Sequence, residues 1–387
     1  MARLIAHVDL DAFFCEVEAL RQPTLRGKAY AVAGRPDQRG VVASASYPAR
    51  AHGVRSAMPT AQALRLCPGL IVVPPSHGVY GTHSRQVMEV LRGYSSDFEQ
   101  ISVDEAFLDL SGFPEDPHAL GLEIQRRIAE SCQLPASLGL ASCKLVAKMA
   151  SGEAKPNGVL VVPAGGEAAF LAPMPVGALW GVGAATSARL KALGIETVGA
   201  LANTDPAMLR GVFGNQASQA VARARGVDLS EVRGGRELKS VSEERTFTKD
   251  LADHHALHAV LVALSDEVAR RLRDNHVYAR TIHLKLRWSD FETITRQVTL
   301  SAPTHFGEDI RAAVDALFRV AWAPGRRVRL LGVGASGLSE GVQADLFSGQ
   351  VNPSREALAR TLDALQERYG RDAVGRATLR KRKPPAP

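Results

Sequence analysis

The alternation of apolar and polar positions changes character along the chain. Residues 4–10, "LIAHVDL", form a short β-rich apolar run that ends in Asp9. A helix is predicted to start at once, with Asp11 as its N-cap and Phe14, Val17 and Leu20 at helical spacing, until "QPTLRG" breaks it. Short strands are expected over 29–33 and 40–46, then a helical turn at "YPARAHG" and a helix within 76–95. Residues 98–110 suggest two strands that meet near an acidic pair; an amphipathic helix (119–131), a strand (136–142) and a helix (143–151) follow. Beyond Pro163 the pattern turns Ala- and Gly-rich and helical over 167–227, and "RGGRELKS" (233–240) reads as a linker.

The last block mixes both periods. Leu257, Val260, Leu261, Leu264, Val268 and Leu272 form one helical stripe, and Ile310, Val314, Leu317 and Phe318 form another. Between them "TIHLKLRW" (281–288) alternates strictly, placing Ile282, Leu284, Leu286 and Trp288 on one face and His283, Lys285 and Arg287 on the other. This predicts an antiparallel sheet packed on helices, with a basic face exposed. From 342 onward come "QADLF", a Pro/Ser break, a helix near 354–369 and a Pro-rich basic end. The expected class is α+β and multidomain, and there is no internal repeat.

A chain of 387 residues suggests two to four domains, and 45% hydrophobic with 22% charged residues is ordinary globular usage. No apolar run reaches the roughly 20 residues of a membrane helix. The start lacks a signal-peptide pattern, and Cys15, Cys67, Cys132 and Cys143 show neither metal spacing nor a disulfide framework. A reducing intracellular compartment without structural zinc is expected. The net charge of +7 is unevenly placed: residues 1–165 carry 16 basic and 16 acidic side chains, so the excess lies further on, ending in "RKRK" at 380–383. A polyanionic partner gripped by the C-terminal modules fits this, as does a merely solubilising surface.

Three acids, Asp9, Asp104 and Glu105, lie at ends or turns of apolar strands. Adjacent residues on a regular strand point to opposite faces, so Asp104 and Glu105 share one site only if the backbone turns between them. Carboxylate oxygens suit hard divalent cations, and two such ions about 3.5–4 Å apart serve phosphoryl transfer. An Asp-Glu pair in a surface turn is also the ordinary solvated case, and residue type alone does not decide between them.

The order and spacing of several stretches decide more. "HVDLDAFFCEVE" (7–18), "GVVASASYPARAHGVRSAMP" (40–59), "SVDEAFLDL" (102–110), "AKPNG" (154–158), "GVGAATSARLKALGI" (181–195) and "KSVSEERTF" (239–247) together resemble the Y-family DNA polymerases, most closely their DNA polymerase IV branch. The resemblance covers nearly the whole chain. It implies a right-hand polymerase: palm at 1–10 and 75–165, fingers at 11–74, a helical thumb at 166–232, a linker at 233–240, a little finger at 241–341 and a tail at 342–387. It implies error-prone, translesion addition of dNTPs to a primer on template DNA, using two Mg²⁺ ions or Mn²⁺ as substitute. Asp9, Asp104 and Glu105 match the metal-binding acids, with the Leu10 carbonyl as a further ligand.

Tyr47 and Arg50, three apart on a presumed helix, would share a face, and they match the family's triphosphate-binding pair; Ser44 and Lys155 join them. Phe14 matches the steric gate against a ribose 2′-hydroxyl, with Phe13 beside the sugar pocket. The small residues Ala43, Ser44, Ala45 and Ala57 fit an open roof over the nascent base pair. "GVG", Gly181, Val182 and Gly183, resembles a helix-hairpin-helix that binds phosphates through backbone N–H groups. Trp180 stands where relatives usually have proline. Lys285, Arg287, Arg327 and Arg329 would lie along the duplex. "QADLF", through Gln343, Leu346 and Phe347, resembles the motif that docks on the sliding clamp, although 40 residues follow it here. The resemblance also implies a cytoplasmic, nucleoid-associated monomer of bacterial origin. A metal-dependent nuclease and a non-catalytic scaffold that binds DNA and clamp are the rival readings.

Overall fold

The computed structural model describes residues 3–76, 78–235, 237–341, 353–370 and 374, in two compact units, Met1–Arg236 and Glu237–Pro387. The first unit begins with β1 (Ile5–Leu10), α1 (Phe13–Arg21), β2 (Tyr30–Ala33), β3 (Val42–Ala45), α2 (Tyr47–Ala51), α3 (Thr60–Leu66) and β4 (Ile71–Val73). It returns through α4 (Val79–Arg92), β5 (Phe98–Gln100), β6 (Glu105–Asp109), α5 (Pro117–Cys132), β7 (Ala136–Ala141), α6 (Lys144–Glu153) and β8 (Val159–Val161).

Five of these strands form one sheet in the order β5-β6-β1-β7-β8. As the central strand, β1 is covered on both faces, which explains its nearly unbroken apolar run. Ala6, Val8 and Leu10 join the core that α4 and α5 complete, whereas Ile5 joins a second core with Leu145, Val146 and Met149 of α6. On that second face Gly139 of β7 stands opposite His7. A Cβ at Gly139 would fall 2.0 Å from the Ala147 carbonyl oxygen, so the glycine is what lets α6 lie so close to the sheet. A separate sheet, β3-β2-β4, encloses a small core of Ala31, Ala33, Val42, Ala45, Ala49 and Ala63.

The expected N-cap of α1 is not there. Ala12 occupies that position with φ 44° and ψ 40° and offers no side-chain cap. Asp11 is instead drawn inward by three hydrogen-bond donors and is 1% exposed.

The rest of the first unit is helical, as its composition predicted: α7 (Glu167–Leu171), α8 (Ala184–Ala192), α9 (Val198–Ala202), α10 (Pro206–Phe213) and α11 (Ala217–Ala224) pack around Leu171, Leu190, Leu201, Leu209 and Val221. Thr197 and Asp205 cap α9 and α10 by accepting backbone N–H groups, each cap worth about 1 kcal/mol.

The second unit runs β9 (Ser240–Leu251), α12 (His254–Asp274), β10 (Tyr278–Trp288), β11 (Thr293–Thr304), α13 (Gly307–Ala321), β12 (Val328–Ser339) and α14 (Pro353–Tyr369). Its antiparallel sheet has the order β11-β10-β12-β9. The predicted alternation of β10 is realised: Ile282, Leu284, Leu286 and Trp288 are buried against α12 and α13. The predicted clamp-docking residues Gln343, Leu346 and Phe347 lie outside the described residues.

Candidate active site

β1 and β6 pair antiparallel in a register that sets Asp9 directly opposite Glu105. β6 begins at Glu105, so Asp104 belongs to the preceding bend. Its carbonyl accepts the Leu10 N–H at 3.0 Å, and its carboxylate accepts the Ser102 hydroxyl at 2.5 Å. The backbone therefore turns at the acidic pair, which frees adjacent acids from the alternation of a strand.

Two lysines reach these carboxylates. Lys155 donates to Asp9 Oδ1 at 2.6 Å, and Lys148 of α6 donates to Glu105 Oε1 at 2.8 Å. Burial pushes the Asp9 carboxyl up to about 7; Lys155 pulls against that rise and the facing Glu105 adds to it. Lys148 Nζ also lies 3.3 Å from His7 Nε2, and His7 Nδ1 lies 2.6 Å from Ser151 Oγ, which itself donates to the Lys148 carbonyl at 2.9 Å. Ser151 has thus spent its proton, so Nδ1–H of His7 donates to it and Nε2 accepts from Lys148. Burial, with Lys148 and Lys155 nearby, holds the His7 pKa well below its usual value, which keeps that neutral tautomer. Among the described residues no three His, Cys, Asp or Glu side chains gather closely enough to hold a metal by themselves. Asp9, Glu105 and Asp104 are directed at Lys155, Lys148 and Ser102 respectively.

Of the expected nucleotide-contacting residues, Lys155 touches this centre directly, through Asp9. Ser46 caps α2, accepting the Ala49 N–H, and Pro48 lies in the first turn; together they set the orientation of Tyr47 and Arg50. The predicted shared face is real: the Arg50 guanidinium lies 4.8 Å from the Tyr47 ring centroid, and its Nε donates to the Ala45 carbonyl at 2.9 Å. Tyr47 Oη donates to Asp11 at 2.8 Å. Ser44 is buried beside the Cys15 thiol. Phe13 packs into the core at 2% exposure, whereas Phe14 stays partly open and stacks on Tyr80 at 4.3 Å and 27°.

Further along the first unit, Gly181 adopts φ 97° just before α8, a left-handed conformation that glycine accepts readily, and the Val182 N–H donates to the Leu179 carbonyl. Trp180 sits between Phe107 (5.9 Å), Lys148 (5.7 Å) and Arg223 (5.5 Å). In the second unit the basic face is partly neutralised. Lys285 pairs with Glu244 at 2.9 Å, and Arg287 donates to Thr293 at 2.7 Å. Arg329 lies over the Phe291 ring at 4.4 Å, and Arg327 is exposed.

Sequence reasoning missed Asp11, Lys148 and Tyr80. Lys148 had one signal: in "KLVAKMAS" two lysines share a helix whose other positions are almost all apolar, so their ammonium groups require buried partners. Lys144, 7% exposed, has such a partner in Glu99 at 2.6 Å.

Comparison with known proteins places the chain. The family model described as impB/mucB/samB family matches residues 8–152, its C-terminal domain model matches 238–346, and the IMS family HHH motif matches 165–195. The DNA polymerase IV of Halorhodospira halophila is 44% identical over 350 residues, covering 89% of this chain and 98% of that protein. DNA polymerase IV of Dehalococcoides mccartyi is 39% identical, with 96% of each chain covered. DNA polymerase IV 1 of Bacillus subtilis is 37% identical, covering 98% of this chain and 94% of its own. A solved Y-family DNA polymerase chimera of Dbh and Dpo4 shares the fold, with a TM-score of 0.77, 23% identity and coverage of 87% of this chain and all of that one. The family models and these relatives define a DNA-directed DNA polymerase, and the solved neighbour shows the right-hand fold. The chain belongs to the Y-family DNA polymerases, within the DNA polymerase IV branch.

Proposed function

We propose that the chain is a low-fidelity translesion polymerase that adds dNTPs to a primer 3′ end by two-metal-ion nucleotidyl transfer. The observation that carries this is the register of β1 and β6, which sets Asp9 opposite Glu105 with Asp104 one residue away. The donor set fits the ions: three carboxylates and the Leu10 carbonyl are hard oxygen ligands, the type that magnesium or manganese takes. The two lysine pairs support the fit, since the Asp9 and Glu105 oxygens already meet positive charge. Bound there, divalent cations would neutralise the triphosphate charge and polarise the reacting oxygens.

The protein's own groups do the rest. Arg50, Tyr47 and Lys155 hold the triphosphate, with Arg50 as a planar fork for phosphate oxygens. Phe14, braced by Tyr80, fills the space beside the sugar and excludes a 2′-hydroxyl. Small residues over the base pair leave room for damaged templates, at the expense of selectivity. Gly181–Gly183 and the arginines of the second unit hold primer-template DNA through its phosphates. Gln343, Leu346 and Phe347 dock a monomeric chain on the sliding clamp in the bacterial cytoplasm, at the nucleoid.

Primer extension on a primed template with Mg²⁺, run separately with dNTPs and rNTPs, tests the reading. Wild type extends with dNTPs only; Asp104→Ala lowers the rate by about a hundredfold or more, and Phe14→Ala admits rNTPs. Shortened primers would point to a nuclease, and binding without extension to a scaffold.

A further inference from the structure

Asp11 lies two residues past Asp9 and is 1% exposed, and its carboxylate is fully engaged. Oδ1 accepts the Tyr47 hydroxyl at 2.8 Å; Oδ2 accepts the Ser137 hydroxyl at 2.8 Å and the Asn157 N–H at 2.7 Å. The acceptor therefore ties α2 to β7 and to the "AKPNG" turn that carries Lys155. A phenol has one proton, and here it is committed to a carboxylate. The Tyr47 oxygen then turns only lone pairs elsewhere, and lone pairs repel phosphate oxygens.

We propose that Asp11 is a positioning residue that competes with the incoming triphosphate for the Tyr47 hydroxyl proton, and so sets how tightly a nucleotide is held. The inference rests on the proposed role of Tyr47 as a triphosphate contact. Nucleotide binding must swing the O–H from Asp11 to a phosphate oxygen, leaving Asp11 with its two other donors. One charge-assisted hydrogen bond is thereby exchanged for another, and the net gain from Tyr47 stays small. The device weakens nucleotide capture while keeping Tyr47 and Lys155 in register before a nucleotide arrives.

Asp11→Asn is a nearly isosteric probe. The Asn157 N–H and the Ser137 hydroxyl require an acceptor, so the amide oxygen takes the Oδ2 position and the NH₂ faces Tyr47. The hydrogen bond reverses, and the Tyr47 proton is permanently available to phosphate.

The experiment is single-nucleotide insertion by the full chain on a primed template, with KM and kcat for the correct dNTP. It compares wild type, D11N, Y47F and the double variant. D11N also removes a negative charge, so its own effect decides nothing; the effect of Y47F in each background does. Y47F is expected to raise KM by no more than about twofold beside Asp11 and by about tenfold in D11N, the scale of one hydrogen bond to a charged group. Equal rises in the two backgrounds overturn the competition and leave Tyr47 a nucleotide contact. No rise in either removes Tyr47 from the nucleotide site, and the inference falls with that reading. If D11N does not fold, Ser137→Ala serves: with one donor fewer, Asp11 holds Tyr47 harder. KM then rises about twofold with Tyr47 present and not at all in Y47F; an equal rise in both overturns the proposal.

Discussion

Phe13 and Phe14 are chemically identical neighbours to which α1 gives opposite surroundings. Phe13 is enclosed by the core, whereas Phe14 lies against Tyr80, whose hydroxyl donates to the buried Glu18 at 2.7 Å, and Glu18 in turn pairs with Arg21 at 2.9 Å. The orientation of Phe14 is therefore held by a stack whose far side is itself anchored. An aromatic pair of this geometry contributes about 0.5–1.5 kcal/mol beyond the area it buries. Tyr80→Ala should free Phe14 to tilt and lower dNTP-over-rNTP discrimination by about fivefold to tenfold, with the dNTP rate little changed. Parallel insertion assays with dCTP and CTP measure this directly. Unchanged discrimination would mean that the helix backbone alone aims the ring.

At the scale of elements, the central strand and the alternation of β10 were legible because each follows from a local period, whereas the turn at Asp104 was only the condition under which the acidic pair could share one site. The network around Asp11 was not legible. Its donors come from positions 47, 137 and 157, and nothing in "DLDAFF" distinguishes a helix cap from a carboxylate captured by distant donors. Lys148 reaches Glu105 only because Gly139 admits α6 so close. Gly139→Ala should accordingly cost about 3 kcal/mol, read as a lower thermal midpoint, and should reduce extension as Lys148 is displaced. A midpoint within a degree of wild type would show that α6 shifts freely. In the second unit α14 is held mainly through polar pairs: Arg273–Asp363 at 2.6 Å, His305–Glu356 at 2.8 Å and Arg355–Asp309 at 2.6 Å. Burial lowers the His305 pKa although Glu356 opposes it, so the folded state favours neutral imidazole while the unfolded chain titrates near its ordinary value. The unfolded state then binds more protons below about pH 6.5, and stability present above that pH is lost as pH falls. Thermal melts between pH 7.5 and 5 should show this loss in wild type and a shallower one in His305→Asn. Parallel curves would assign the loss to other groups.

Across the whole molecule, the same contrast between paired and unpaired groups decides how charge is used. A net charge of +7 invites the conclusion that every basic residue of the second unit contributes to holding DNA. Lys285 does not fit it, because its ammonium lies 2.9 and 3.1 Å from the two Glu244 oxygens and the pair carries no net charge toward a phosphate. Among the described residues no acid pairs with Arg327 or Arg329; Arg327 is exposed and Arg329 rests on an aromatic face that leaves its charge intact. Each such arginine on a phosphate releases about one counterion, so Arg327→Ala and Arg329→Ala should each reduce the slope of log affinity against log salt by about 1. Lys285→Ala should change it by much less, because the lysine must first leave Glu244 to meet a phosphate. Binding isotherms for a primed template between about 50 and 200 mM salt distinguish the cases. Equal slope changes for all three would mean that DNA breaks the Lys285–Glu244 pair on binding. Glu244→Gln should then steepen the slope only where that pair persists in the complex.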